Sequence, residues 1–139
     1  MSPKKPRKTL RIILDSSFLF IPSQFNIDIF EELANTLNQR FELIILSSTG
    51  EELEKIVKSK SIKLQRQAAL ALIFAQKCRR FDVKKGENES NDDMIVRVAS
   101  DLKCSVGTND RDLRKRLRRI NLPVIYLRQK SRLVVDGVI

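Results

Sequence analysis

Residues 10–15 read LRIILD, residues 41–46 read FELIIL and residues 123–127 read PVIYL. Each is a short apolar run bounded by polar or turn residues, the pattern of a strand buried on both faces. Shorter runs at Phe81–Val83, Cys104–Gly107 and Arg132–Val135 extend the set. The stretches between them have helical periodicity. Phe30, Leu33, Ala34 and Leu37 place a helix from about Asn26 or Ile27 to Leu37, after a break at Pro22. Ile62–Cys78 carries Leu64, Ala68, Ala71, Leu72 and Ala75 on one stripe and is the clearest helix. Ser48 and Thr49 each stand three residues before a Glu, a capping-box pattern that predicts a helix start. Beyond a polar loop over 84–91, a helix capped by Ser90 or Asn91 turns Ile95, Val98, Ala99 and Leu102 inward. Asp110–Ile120 predicts a short, very basic helix. Strands alternating with helices predict an α/β domain with a mostly parallel central sheet covered on both faces. Ligands of such sheets sit beyond the C-terminal ends of the strands.

The chain has 139 residues, of which 27 are Lys or Arg, 17 Asp or Glu and none His, a net charge of +10. Without His there is no Ser-His-Asp triad, no Cys-His pair and no imidazole zinc ligand. Cys78 and Cys104 lack a C-x-x-C spacing, which excludes a zinc ribbon or redox dithiol, and a reducing compartment fits them best. The longest apolar run, Ala68–Ala75, is eight residues, far short of a bilayer, so no membrane association is expected. Residues 1–9 (MSPKKPRKT) read as a flexible basic arm rather than a secretory signal, leaving 10–139 as one domain. The excess positive charge points to a polyanion, nucleic acid by default.

Chemistry therefore falls to carboxylates. Asp15 ends the first strand, Glu51 and Glu52 follow the second, and Asp110 and Asp112 follow Cys104–Gly107. Asp92 and Asp93 open the helix leading into that last strand. Taken singly, all but Asp15 also suit a first helical turn, where a carboxylate caps or complements the dipole. Asp15, directly after a buried strand, is harder to explain that way, and the convergence of four positions carries the case. Carboxylates held together repel one another, and a divalent cation offsets that cost. An all-oxygen set points to Mg²⁺ or Mn²⁺ rather than zinc.

From residue 10 onward the order and spacing of these residues resemble the PIN-domain nucleases. The strand ending in Asp plus small polar and apolar residues is matched by Ile12 to Leu19, and the Glu-Leu pair after the second strand by Glu52 and Leu53. Asp92, Ile95 and Ala99 match the family's third acidic helix start, and Thr108, Asn109 and Asp110 its Thr-Asn-Asp. Ser17 stands where the family has Asn, Leu46 where it has Pro, and Gly50 replaces an apolar residue. PSQFNID (22–28) and YLRQ (126–129) look more like the archaeal and eukaryotic PIN proteins similar to the nuclease of small-subunit rRNA processing; the VapC toxins are a more distant match.

The resemblance implies a three-layer α/β/α sandwich and a metal-dependent endoribonuclease that leaves a 5′-phosphate and a 3′-hydroxyl. Asp15, Glu52, Asp92 and Asp110 would be catalytic and bind one or two Mg²⁺ or Mn²⁺ ions. Asp93 and Asp112 would be outer or second-metal ligands, and Ser17, Thr108 and Asn109 would support the ligands by hydrogen bonds. The expected partner is RNA, with an rRNA precursor implied by the rRNA-processing branch, in the cytoplasm or, in a eukaryote, the nucleolus. Family members often dimerise, and nothing in the sequence shows an antitoxin. A non-catalytic RNA-binding assembly factor and a VapC-type toxin ribonuclease are the alternatives.

Arg111, Arg114, Lys115, Arg116, Arg118 and Arg119 crowd the last helix beside Asp110, and residues 113–135 hold eight basic residues and no acidic one. This density predicts RNA phosphate contact. Lys55, Lys58, Lys60, Lys63 and Arg66 form a second basic set. With one Tyr and seven Phe at core-like positions, base stacking is not evident, and contact to backbone or RNA shape is expected.

Overall fold

The computed structural model describes residues 9–139; the arm predicted over 1–9 lies, Thr9 apart, outside them. The elements in order are β1 (Leu10–Leu14), α1 (Ser16–Leu19), α2 (Ile21–Phe25), α3 (Ile29–Leu37), β2 (Phe41–Leu46), α4 (Ser47–Val57), α5 (Ile62–Ala75), β3 (Arg79–Phe81), α6 (Asn91–Leu102), β4 (Ser105–Gly107), α7 (Arg111–Arg119), β5 (Val124–Arg128) and β6 (Arg132–Asp136). One sheet runs in the order β3-β2-β1-β4-β5-β6. Its pairs are parallel except the closing hairpin β5–β6.

The apolar runs are continuous because both faces of the sheet are covered. Alternate residues of a strand point to opposite faces. Ile12, Leu14, Leu43, Ile45 and Ile125 join Phe18, Leu19, Ile21, Ile29, Leu33 and Leu53 in one core. Ile13, Ile44, Leu46, Val106 and Val124 join Ile95, Val98, Ala99, Leu113 and Leu117 in the other. The result is three layers, helices on both sides of a sheet. β1 lies between β2 and β4, where the winding of the sheet reverses.

Several local expectations are corrected. The break at Pro22 is instead a helix: Pro22 sits in the first turn of α2, where a missing N–H costs nothing. Asn26 takes a left-handed conformation that ends α2, so α3 starts later than expected, capped by Asp28. β3 is Arg79–Phe81, not Phe81–Val83, because Val83 leaves the sheet to donate its N–H to Ser47 Oγ at 2.9 Å. No capping box forms at Ser48 or Thr49; α4 begins at Ser47 with Leu46 before it, and Thr49 is buried within the helix. The box forms instead at α6, between Ser90 and Asp93. Helix α5 ends at Ala75, and Leu64, placed on its inner stripe, is 44% exposed. Only Ala68 and Ala71 of α5 are fully buried, while Ile62, Leu70 and Ile73 face outward.

Candidate active site

Asp15 sits at the end of β1 and is 4% exposed. It precedes α1, yet its side chain makes no cap to that helix. Its Oδ2 instead accepts hydrogen bonds from Ser17 Oγ at 2.7 Å and Thr108 Oγ1 at 2.8 Å. Each hydroxyl has one proton and spends it on Asp15. Both hydroxyls then accept: Ser17 Oγ from the Asn109 N–H at 2.9 Å, Thr108 Oγ1 from the Asp110 N–H at 3.0 Å. The Asp15 N–H donates to the Gly107 carbonyl at 2.9 Å. Asn109 Oδ1 accepts from the Leu127 N–H at 2.9 Å. The ends of β1, β4 and β5 are thus tied into one network, and Ser17 is one of its knots.

Glu52 projects from the second turn of α4. Its Oε1 accepts from Ser16 Oγ at 3.2 Å and its Oε2 from Asn91 Nδ2 at 2.8 Å. Burial raises its pKa, the bonds from Ser16 and Asn91 oppose that, and the charge of Asp15 adds to it. Asp92, in the first turn of α6, is pushed up to about 6. Burial is the main cause, followed by the charges of Asp15 and Asp110; Arg116 works against them and Glu52 adds a little. Asp110 caps α7, its Oδ1 accepting from the N–H groups of Asp112 and Leu113 at 2.9 and 3.0 Å. Asp15, Glu52, Asp92 and Asp110 therefore stand at one edge of the sheet within reach of each other's charge. Among the described residues no three acidic, Cys or His side chains already close around an ion-sized space. An open arrangement is what mutual repulsion favours.

The side chains of the other two acids make no hydrogen bond to this group among the described residues. Asp93 Oδ2 accepts from the Ser90 N–H at 3.0 Å and its Oδ1 from Arg116 at 2.9 Å. Those bonds, the backbone one first, lower its pKa and account for both its oxygens. Asp112 is exposed, and its side chain makes no hydrogen bond or ion pair among the described residues. The basic helix divides as well. Arg118 is turned to the protein, donating to the Leu122 carbonyl at 3.3 Å and pairing with Asp136 at 3.3 Å. Arg116 is held by Asp93. Arg114 lies over the Tyr126 ring, 4.0 Å from its centroid. Arg111, Lys115 and Arg119 are exposed and make no ion pair among the described residues.

Sequence reasoning missed Ser16 and Asn91, the two groups that position Glu52. Asn91 Oδ1 is moreover buried without a partner. The only signal was that each directly precedes a residue already singled out or, for Ser16, follows one. A cleft of about 700 Å³ lies around Leu10, Arg11 and Cys104 and is lined by no acidic side chain. A cleft of about 500 Å³ holds Thr108, Asn109 and Asp110.

A family model described as "PIN like domain" matches residues 12–130. Ribonuclease VapC4 of Methanocaldococcus jannaschii is 31% identical over 130 residues, covering 93% of this chain and 98% of its own. Ribonuclease VapC9 of Archaeoglobus fulgidus is 28% identical over 124 residues, 89% of this chain and 87% of that protein. The solved structure of the PIN domain endonuclease Utp24 superposes with a TM-score of 0.75 at 27% identity, covering 93% of this chain and 92% of the other. The six-stranded, mostly parallel sheet between helical layers is the architecture expected of such proteins. The chain belongs to the PIN-like domain family.

Proposed function

We propose that the protein is a metal-dependent endoribonuclease whose centre is Asp15, Glu52, Asp92 and Asp110. One observation carries the reading: partly buried Asp92, pushed up to about 6 chiefly by burial, also feels the charges of Asp15, Asp110 and Glu52, and among the described residues Arg116 is the cation that opposes them. A cluster short of positive charge, built wholly of oxygen donors, fits Mg²⁺ or Mn²⁺. The orphaned Asn91 Oδ1 beside Glu52 is a further oxygen of the right kind. When bound, such an ion lowers the pKa of water and neutralises charge on a phosphodiester.

The chain's own residues do the rest. Ser17 and Thr108 fix Asp15, and Ser16 and Asn91 fix Glu52, so that two ligands are oriented before any ion arrives. Arg111, Lys115 and Arg119 offer charge for backbone phosphates. Asp93 and Asp112 are not needed as ligands in this reading. The likeness to an endonuclease named Utp24 supports endonuclease action, with precursor rRNA the substrate implied by the resemblance of segments 22–28 and 126–129, and two relatives named ribonuclease VapC support the second reading, a VapC-type ribonuclease with a protein partner. The exposed Ile62, Leu70 and Ile73 of α5 favour that second reading. Cleavage of RNA by the purified chain with Mn²⁺, abolished in a folded Asp15→Asn protein, is the expected result. Unchanged cleavage by Asp15→Asn overturns the assignment. Growth arrest on expression, relieved by a co-purifying small protein, would decide for the toxin.

A further inference from the structure

The cleft of about 500 Å³ shares Asp110 with the acidic group, but its wall also includes Arg111, Arg114, Tyr126, Arg128 and Lys130. Three observations set it apart from a solvated basic surface. Arg114 stacks on Tyr126, its guanidinium carbon 4.0 Å from the ring centroid, while its nearest carboxylate, Asp136, is 4.0 Å away. Its charge is therefore weakly committed to a carboxylate while its guanidinium is held over the ring. Second, the turn beyond β5 is closed by the Ser131 N–H donating to the Arg128 carbonyl at 3.2 Å, and its two central residues, Gln129 and Lys130, have φ of 53° and 58°. Turns with two positive φ values favour Asn or Gly. Side chains that endure this conformation are characteristic of functional sites. Here the turn places Gln129 and Lys130 on the cleft wall beside Arg128. Third, the Asn109 side chain bonds the Leu127 N–H, which locks this wall to the Thr108–Asp110 segment.

From this arrangement we infer a nucleotide subsite next to the acidic centre: an unpaired RNA base stacks on the Arg114–Tyr126 pair while Arg111, Arg128 and Lys130 hold the adjoining phosphates. The inference rests on the proposed RNA cleavage for the identity of the strand. Guanidinium planes and aromatic rings take unstacked bases, which single strands offer and A-form duplexes do not. The subsite would add base stacking to the contact with backbone or RNA shape expected from the sequence. It also makes single-stranded segments, rather than helices, the substrate at this position.

The test uses the full chain in EDTA, so that binding is read without cleavage. A fluorescent ten-nucleotide oligoadenylate RNA and a ten-base-pair RNA duplex are titrated with wild type, Arg114→Lys and Tyr126→Leu, each checked for folding by its thermal melt. Loss of one stacking platform weakens single-strand binding about tenfold in both variants. Arg114→Lys keeps the charge, so its salt dependence stays that of wild type. Duplex binding stays unchanged. A single abasic position in the strand reproduces the loss in wild type and adds nothing in Arg114→Lys. Folded variants that bind the strand as wild type does, or that lose strand and duplex alike, overturn the subsite; so does a wild type that does not bind the strand. Parallel cleavage with Mn²⁺ separates the two readings. A wild type that cleaves while Arg114→Lys binds normally keeps the nuclease and loses the subsite. Arg114-dependent binding without cleavage does the reverse.

Discussion

Replacing Asp92 by Asn should make the metal-free protein more stable while removing its activity. Asp92 is pushed from the ordinary 3.8 up to about 6, chiefly by burial and then by Asp15 and Asp110. The folded state therefore favours the neutral carboxyl. The stability this gives is fully present below about pH 4 and is lost as the pH rises through about 6. Sealed from water, such a displacement would correspond to about 3 kcal/mol. Asp92 is only partly buried, and solvent screening leaves about 1–2 kcal/mol. Removing a carboxylate from the first turn of α6 costs about 0.5 kcal/mol of dipole interaction in return. The net gain at pH 8 is about 1 kcal/mol, or about 3 °C in melting temperature for a domain of this size. Thermal melts of chelator-treated wild type and Asp92→Asn between pH 4 and pH 8 measure it. The gap should be widest at pH 8 and close towards pH 4, and Mn²⁺ should restore wild type more than the variant. Equal melting temperatures at pH 8, or a gap indifferent to pH, would refute the reasoning.

Thr108→Val keeps the buried volume but deprives Asp15 of a donor and the Asp110 N–H of its acceptor, at about 1–3 kcal/mol, with cleavage reduced; Thr108→Ser should retain both in urea unfolding and activity assays. Gly107→Ala would set a Cβ 2.9 Å from Leu14 Cδ2 and 3.2 Å from Phe18 Cδ2, both fully buried, and should cost about 1–3 kcal/mol by the same denaturation. Asp93→Ala should lower the melting temperature through loss of the capping box yet leave Mn²⁺ uptake, read by calorimetry, unchanged; a lost titration would return Asp93 to the ligand set. Cys78 and Cys104, each pushed up to about 11 by burial, should resist maleimide at neutral pH until the chain is unfolded.

The layers of the fold were legible because burial on both faces leaves an unmistakable mark. After Arg11 and Glu42 the two strands run on without polar residues as Ile12–Leu14 and Leu43–Leu46, the mark of a sheet covered on both faces. What escaped the sequence was decided by competition between neighbours. Ser48 and Thr49 have the local chemistry of caps, but Leu46 leads straight into α4, and Ser47 Oγ is engaged by Val83, 36 residues away. Asn26 looked like a helix start and is a helix stop, because its left-handed backbone is a matter of context. At the candidate site, position along the chain indicated which acids lie at the sheet edge but not where their oxygens are spent. Asp92 and Asp93 are adjacent and chemically alike. One faces three other carboxylates, while the other closes a capping box and an ion pair, a difference set by the side of α6 each occupies. Asn91 had no signature of its own, since an amide at a helix start is commonplace.

The bond from Thr108 to Asp15 spans 93 residues of chain. Between those residues β4 is only three residues long and must slot between β1 and β5. Asp15 leaves the ribosome early, but its hydroxyl clamp arrives late, and β4 is flanked on its far side only when β5 follows. Contacts so distant in sequence form late in folding. A chain ending between residues 92 and 107 carries three of the four acids and lacks both Thr108 and Asp110. The proposed centre therefore depends on the pairing of two strands whose residues lie far apart in the chain.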